Sequence, residues 1–134
     1  MNVEEAVRWF KQAKADLESA RDSHKTSHCD WACFQAQQAG EKALKAFLYQ
    51  KGFRAMLTHS VRDLLVESAK HETSLLSFME EGKYLDTFYI PSRYPNGLPG
   101  NNVPAEFYTE KDAEKCINCA DSILQKVGKY ISVS

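Results

Sequence analysis

The sequence predicts an all-α protein, an antiparallel up-and-down bundle of four or five helices with one long proline-rich loop before the last helix. Three observations carry that prediction. Apolar residues recur at steps of three and four along most of the chain, the period of a helix with one buried face. Glycine and proline are scarce, 6 and 4 in 134 residues, too few to punctuate the many short strands of a β fold. All four prolines fall between Ile90 and Tyr108, so the rest of the chain is free of proline, the strongest helix breaker. The length suits one hydrophobic core, and residues 1–134 are expected to form a single helical domain.

The first helix is predicted from Val3 to about His24. Val3, Ala6, Val7, Phe10, Ala13, Leu17 and Ala20 line one face, with charged residues between them. A polar break at Asp22 to Ser27 follows. Asp30 is placed to cap a second helix that runs to about Lys51 and stops at Gly52. Its alanines and Gly40 form a small-residue face that permits close helix approach. Thr58 is the expected N-cap of a third, shorter helix with Val61, Leu64, Leu65 and Ala69 on one side. A fourth apolar segment begins at Glu72-Thr73 and continues past Gly82 through Tyr84, Leu85 and Phe88, as one kinked helix or two. Pro91, Pro95, Pro99 and Pro104 exclude a helix from Ile90 to Tyr108 and make a loop, long enough to be a working surface. Thr109-Glu110-Lys111-Asp112 resembles a capping box opening the last helix, whose core face is Ala113, Cys116, Ile117, Ala120, Ile123 or Leu124, and Val127. Short connections make successive helices antiparallel neighbours.

Composition excludes several functions. With 17 Lys+Arg against 18 Asp+Glu, the chain lacks the positive field of a domain that coats DNA or a membrane, although a local basic patch stays compatible with RNA. No stretch approaches the roughly 20 apolar residues of a membrane span, and the amino terminus lacks a signal peptide's pattern, so a cytoplasmic location is expected. Cys29, Cys33, Cys116 and Cys119 are then read as thiols. Their spacings, Cys29-x3-Cys33 and Cys116-x2-Cys119, would let each pair bite one metal, with His24 and His28 near. Most of them fall at core-facing helical positions, where cysteine is a small hydrophobe, so no metal is expected.

Glu5-Ala6-Val7-Arg8-Trp9 with Gln12-Ala13, Asp30-Trp31-Ala32-Cys33-Phe34, Gln38-Ala39 with Glu41-Lys42-Ala43-Leu44-Lys45-Ala46, Thr58-His59-Ser60, Arg93-Tyr94-Pro95 and Phe107-Tyr108-Thr109 occur in an order and spacing that resembles the HEPN family across nearly the whole chain. The first two helices and Cys116-Ile117-Asn118-Cys119 look closest to sacsin-type members and to small stand-alone prokaryotic ones. The resemblance implies a helical bundle that forms a homodimer. It also implies, in various members, binding of a nucleotide or RNA, ribonuclease activity, or a toxin–antitoxin partnership with a small nucleotidyltransferase; sacsin-type members imply fusion to a chaperone-like chain. It implies no cofactor.

Ribonucleases of that family carry Arg-x(4–6)-His, in which the histidine moves a proton at the ribose 2′-hydroxyl and the arginine stabilises phosphate charge. Arg54 to His59 fits with four intervening residues, and Arg21 to His28 with six. With five arginines and four histidines in the chain, such matches arise readily by chance. Both also lie earlier than the family pattern, and the last helix holds neither residue type. His59 and Arg54 are therefore the weaker, catalytic candidates of a metal-independent endoribonuclease or toxin. The stronger candidate is a nucleotide site on the loop: Arg93 offers a planar fork for phosphate, and Tyr94 and Tyr108, with Tyr89, offer ring faces and hydroxyls. The alternative is that Arg93 pairs with a nearby acid or caps a helix while the tyrosines pack the loop. Trp9 and Trp31 are read as core or dimer-face anchors, and His71 as solvated. The expected function is a dimerising module that binds a nucleotide, RNA or a partner protein near this loop without efficient catalysis.

Overall fold

The computed structural model describes residues 1–132. Six α-helices carry the fold, and the described residues include no strand: α1 (Val3–Lys25), α2 (Cys29–Gln50), α3 (Val61–Ala69), α4 (Met79–Asp86), α5 (Pro104–Phe107) and α6 (Glu110–Gly128). None of these helices is long and apolar enough to cross a membrane.

Helix α2 is the axis of the bundle. Ala32, Ala36, Ala39, Ala43 and Ala46 are fully buried, and their small side chains let α1 and α6 settle against it. The largest buried side chains, Phe47, Leu44 and Leu48, come from its second half. Gly40 is buried as well; a Cβ there would stand 3.3 Å from a Leu85 methyl, so α4 also closes on this helix. On α6 the expected face is the buried one, with Ala113, Cys116, Ile117, Ala120, Ile123, Leu124 and Val127 all in the core.

The caps show where local sequence decides the boundaries. Asn2 accepts from the Glu5 amide at 3.1 Å and starts α1. At α6 both halves of the expected capping box form: the Thr109 hydroxyl accepts from the Asp112 amide at 3.2 Å, and the Thr109 amide donates to the Asp112 carboxylate at 2.9 Å. Gly52 has φ of 102°, a left-handed value that glycine adopts without strain, and it stops α2 as predicted.

Four sequence expectations are corrected. Asp30 does not cap α2. The helix begins two residues earlier, after a turn through Ser27 at φ 62°, and His28 holds the cap position without a side-chain bond. Asp30 sits in the first turn, where the helix dipole favours a carboxylate. The cap of α3 is Ser60, whose hydroxyl accepts from the Asp63 amide at 3.0 Å; Thr58 instead accepts from the Ser60 amide at 3.0 Å. The fourth apolar segment is a 3₁₀ run, Thr73–Phe78, leading into α4. Gly82 lies inside α4 rather than breaking it, because a Cβ there would come within 2.7 Å of a Leu65 methyl and the missing side chain admits α3. Lastly, the stretch from Ile90 to Tyr108 is not wholly irregular. Pro104 opens the single turn α5, at the first helical position, where proline's absent N–H costs nothing.

Candidate functional site

Phe34, Gln38, Glu41 and Lys45 share one side of α2, spaced by three and four, away from its alanine face. The end of α4, the turns from Thr87 to Tyr94 and the connection from residue 53 to residue 60 meet this side. Asp86, the last residue of α4, ties them together. Its carboxylate accepts from the Val61 and Arg62 amides at 2.8 and 3.0 Å and from the Ser60 hydroxyl at 2.8 Å, so it satisfies the first amides of α3 from across the fold. The Gln37 side-chain amide donates to the His59 carbonyl at 2.8 Å, which fixes the backbone that carries the imidazole.

The His59 ring bridges a buried charge pair and an aromatic stack. Its Nδ1 lies 3.3 Å from Glu41 Oε2, and its face lies on Tyr89 with centroids 5.1 Å apart and planes 17° apart. The ladder continues with Arg93. The guanidinium carbon lies 4.6 Å from the Tyr89 ring centre, 4.4 Å from that of Phe34 and 5.2 Å from that of Tyr94. Its Nε donates to the Tyr89 carbonyl at 2.8 Å. Among the described residues no carboxylate pairs with Arg93. Its terminal nitrogens are held in place by rings and engaged by no counter-charge, an arrangement that suits an incoming phosphate or carboxylate.

Beneath the histidine, Lys45 Nζ lies 3.0 Å from Glu41 Oε2, and the two residues are only 5% and 3% exposed. Gln38 donates to the other Glu41 oxygen at 3.3 Å, while Lys45 Nζ lies 5.7 Å from the Trp9 ring centre. Taking two charges out of water is costly unless each is hydrogen-bonded. This pair has its partners, and it holds a carboxylate in fixed position against an imidazole that stays half exposed.

The remaining candidates stand elsewhere. Tyr94 joins the ladder and is half exposed. Tyr108 does not: its ring packs on Phe88 and Phe107 at 5.4 and 5.2 Å, and burial pushes its phenol up to about 12. Arg54 is exposed and lines a groove of about 510 Å³ with Glu5 and Tyr49; no hydrogen bond or ion pair joins it to His59. Arg21 is paired with Glu18 and Asp121 at 3.4 and 3.3 Å, and His28 faces the Thr26 hydroxyl at 3.0 Å. His24 meets Glu110 at 2.9 Å. The four cysteines are buried free thiols, and burial raises Cys29, Cys116 and Cys119 above the ordinary thiol range. Among the described residues no group of three or more His, Cys, Asp or Glu side chains is arranged to hold a metal ion.

Sequence reasoning missed Glu41 and Lys45 as site residues. Their signal was an acid and a base four residues apart on the same helix side as Phe34, in a segment whose neighbours Leu44, Ala46 and Phe47 are apolar.

The HEPN domain profile matches residues 6–130. The chain belongs to the HEPN family. A protein of Methanocaldococcus jannaschii named "Putative toxin MJ1304" is 31% identical over 137 residues, covering 97% of this chain and 90% of that protein. Human sacsin is 26% identical over 134 residues, 97% of this chain but 3% of sacsin's own length. Among solved structures, ST0689, described as an archaeal HEPN homologue, superposes with a TM-score of 0.77 at 38% identity and covers 98% of this chain and 99% of that one. The HEPN helical bundle expected from the sequence is thus the fold of this protein.

Proposed function

We propose that this HEPN bundle dimerises and binds a nucleotide, or a phosphate of RNA, at the ring-held Arg93. One observation carries the reading: a guanidinium sandwiched among Phe34, Tyr89 and Tyr94 with no carboxylate partner among the described residues. Arg93 holds phosphate and Tyr94, half exposed beside it, stacks on a base. Tyr108 supports the loop from its packed position against Phe88. Isothermal titration with GTP, ATP and a short RNA tests it. Arg93→Ala is expected to weaken binding at least tenfold, and Arg93→Lys to recover only part, because an ammonium cannot reproduce the planar fork. Unchanged affinity in Arg93→Ala removes the site, and no binding by wild type removes the ligand class.

A second reading is favoured by the His59–Glu41 contact and by the toxin name of one relative. A carboxylate on one imidazole nitrogen leaves the other to accept a proton, the arrangement of a general base. In that reading the protein is a metal-independent endoribonuclease, paired as a toxin with a nucleotidyltransferase. Incubation with mixed RNA in EDTA decides it: cleavage that persists in His59→Ala excludes this base.

A further inference from the structure

Helices α1 and α6 each spend their most apolar side on α2, and an open seam remains where they run antiparallel to one another. Two adjoining hollows of about 660 and 300 Å³ occupy it. They share Phe10, Lys14 and Gly128 and together follow α1 from Val7 to Arg21, a length of about 21 Å at 1.5 Å per residue. The floor is apolar. Leu17 and Leu124 are buried beneath it, Val7 and Phe10 are half-buried, and a Cβ on Gly128 would stand 3.3 Å from the Phe10 ring, so the bare glycine lets that ring lie against α6.

The free charge on the rim is positive. At one end Arg21 binds both acids of the groove, Glu18 and Asp121. Toward the other end Lys11, Lys14 and Lys129 are exposed, and among the described residues none of the three is in an ion pair. An apolar floor bordered by unpaired lysines is complementary to an amphipathic helix with an apolar stripe and acidic borders.

We propose that the α1–α6 groove seats one acidic amphipathic helix of a partner protein, its apolar stripe on Val7 and Phe10 and its carboxylates toward Lys11, Lys14 and Lys129. The 21 Å length accommodates about four turns, or about 14 residues, of such a helix. A second copy of this chain is a poor occupant, because a two-fold contact over this surface sets hollow against hollow and leaves a void. RNA fits less well than a helix. The groove's arginine is already committed to two acids and Phe10 is the one aromatic ring that lines it, so neither a free guanidinium nor a run of stacking faces for successive bases is presented. The groove shares no residue with the Arg93 ladder, and the two readings stand or fall separately.

The probe is a synthetic peptide of about 14 residues with leucines at i, i+3, i+4, i+7 and i+11 and glutamates along both borders of that stripe. A second peptide carries lysines in place of the glutamates, and a short single-stranded RNA forms the third arm. Binding is measured by anisotropy and mapped by amide chemical shifts on the whole chain. The acidic peptide is expected to bind at least tenfold tighter than the basic one and to shift amides of Val7 to Arg21 and Asp121 to Lys129. Charge reversal at all three lysines (K11E, K14E, K129E) is expected to invert the preference, and Phe10→Ala to weaken acidic-peptide binding at least fivefold. Circular dichroism confirms that each variant is folded. Equal binding of the two peptides, shifts confined to other helices, no binding of either, self-association through these residues, or RNA binding that the lysine reversal abolishes would each overturn the proposal.

Discussion

Glu41 and Lys45 place an ion pair inside the fold. Each is nearly excluded from water, and each is tolerable only because the other, with Gln38 and His59, completes its bonding. Glu41→Ala strands the ammonium, and urea denaturation is expected to show a loss of about 3 kcal/mol. Replacing both residues with apolar ones of similar size, Glu41→Leu with Lys45→Met, is expected to recover most of that loss while releasing the His59 imidazole. A single-variant loss under about 1 kcal/mol would mean that water reaches the pair. Tyr108 gives a second test at this scale. Its phenol is raised by burial to about 12, so the neutral form is favoured in the fold. The stability it contributes is fully present below the ordinary phenol value of about 10 and is lost as pH rises through about 12. A melting series from pH 9 to 12 is expected to fall less steeply in Tyr108→Phe than in wild type.

At the scale of elements, Gly40 and Gly82 are places where one helix needs another's volume. Alanine is a better helix former than glycine by about 1 kcal/mol, yet Gly82→Ala is expected to destabilise the protein by about 1 kcal/mol net, read from its denaturant midpoint. The Leu65 methyl that a Cβ would meet at 2.7 Å belongs to a fully buried side chain with little room to retreat. A rise in stability would show instead that Leu65 turns aside freely. The end of α2 and the start of α6 were legible in the sequence because Gly52 and the Thr109–Asp112 box act within four residues of themselves, and α1 was legible from its apolar period. The start of α3 was less so. Thr58 and Ser60 are both competent caps, and the choice between them follows from Asp86 reaching over from α4. Likewise Pro104 reads as a breaker until the chain around it supplies a first-turn position.

For the whole molecule, 17 basic and 18 acidic residues nearly balance. Among the basic groups without an ion-pair partner among the described residues are Arg93 within its rings and the lysine rim between α1 and α6. Half-exposed Trp31 and Ile90 add apolar surface on elements that border the Arg93 ladder, a surface on which the proposed dimer can rest. Light scattering at micromolar concentration is expected to give a mass near twice 15.2 kDa; a monomeric mass would count against the dimer. The sequence by itself determined α1, α2, α3 and α6 with their buried faces, the ends of α1, the end of α2, the start of α6 and the family, because periodicity, capping and motif order are written in residues close along the chain. It also marked Arg93 and Tyr94 as companions, being neighbours on one loop. Only the tertiary structure decided that Tyr108 packs away from them, that His59 leans on Glu41, and that Phe34 and Tyr89 enclose the guanidinium. Those contacts join α2, the connection after it and the turns after α4, so they depend on which helix faces meet, and that is settled by the packing of the bundle as a whole.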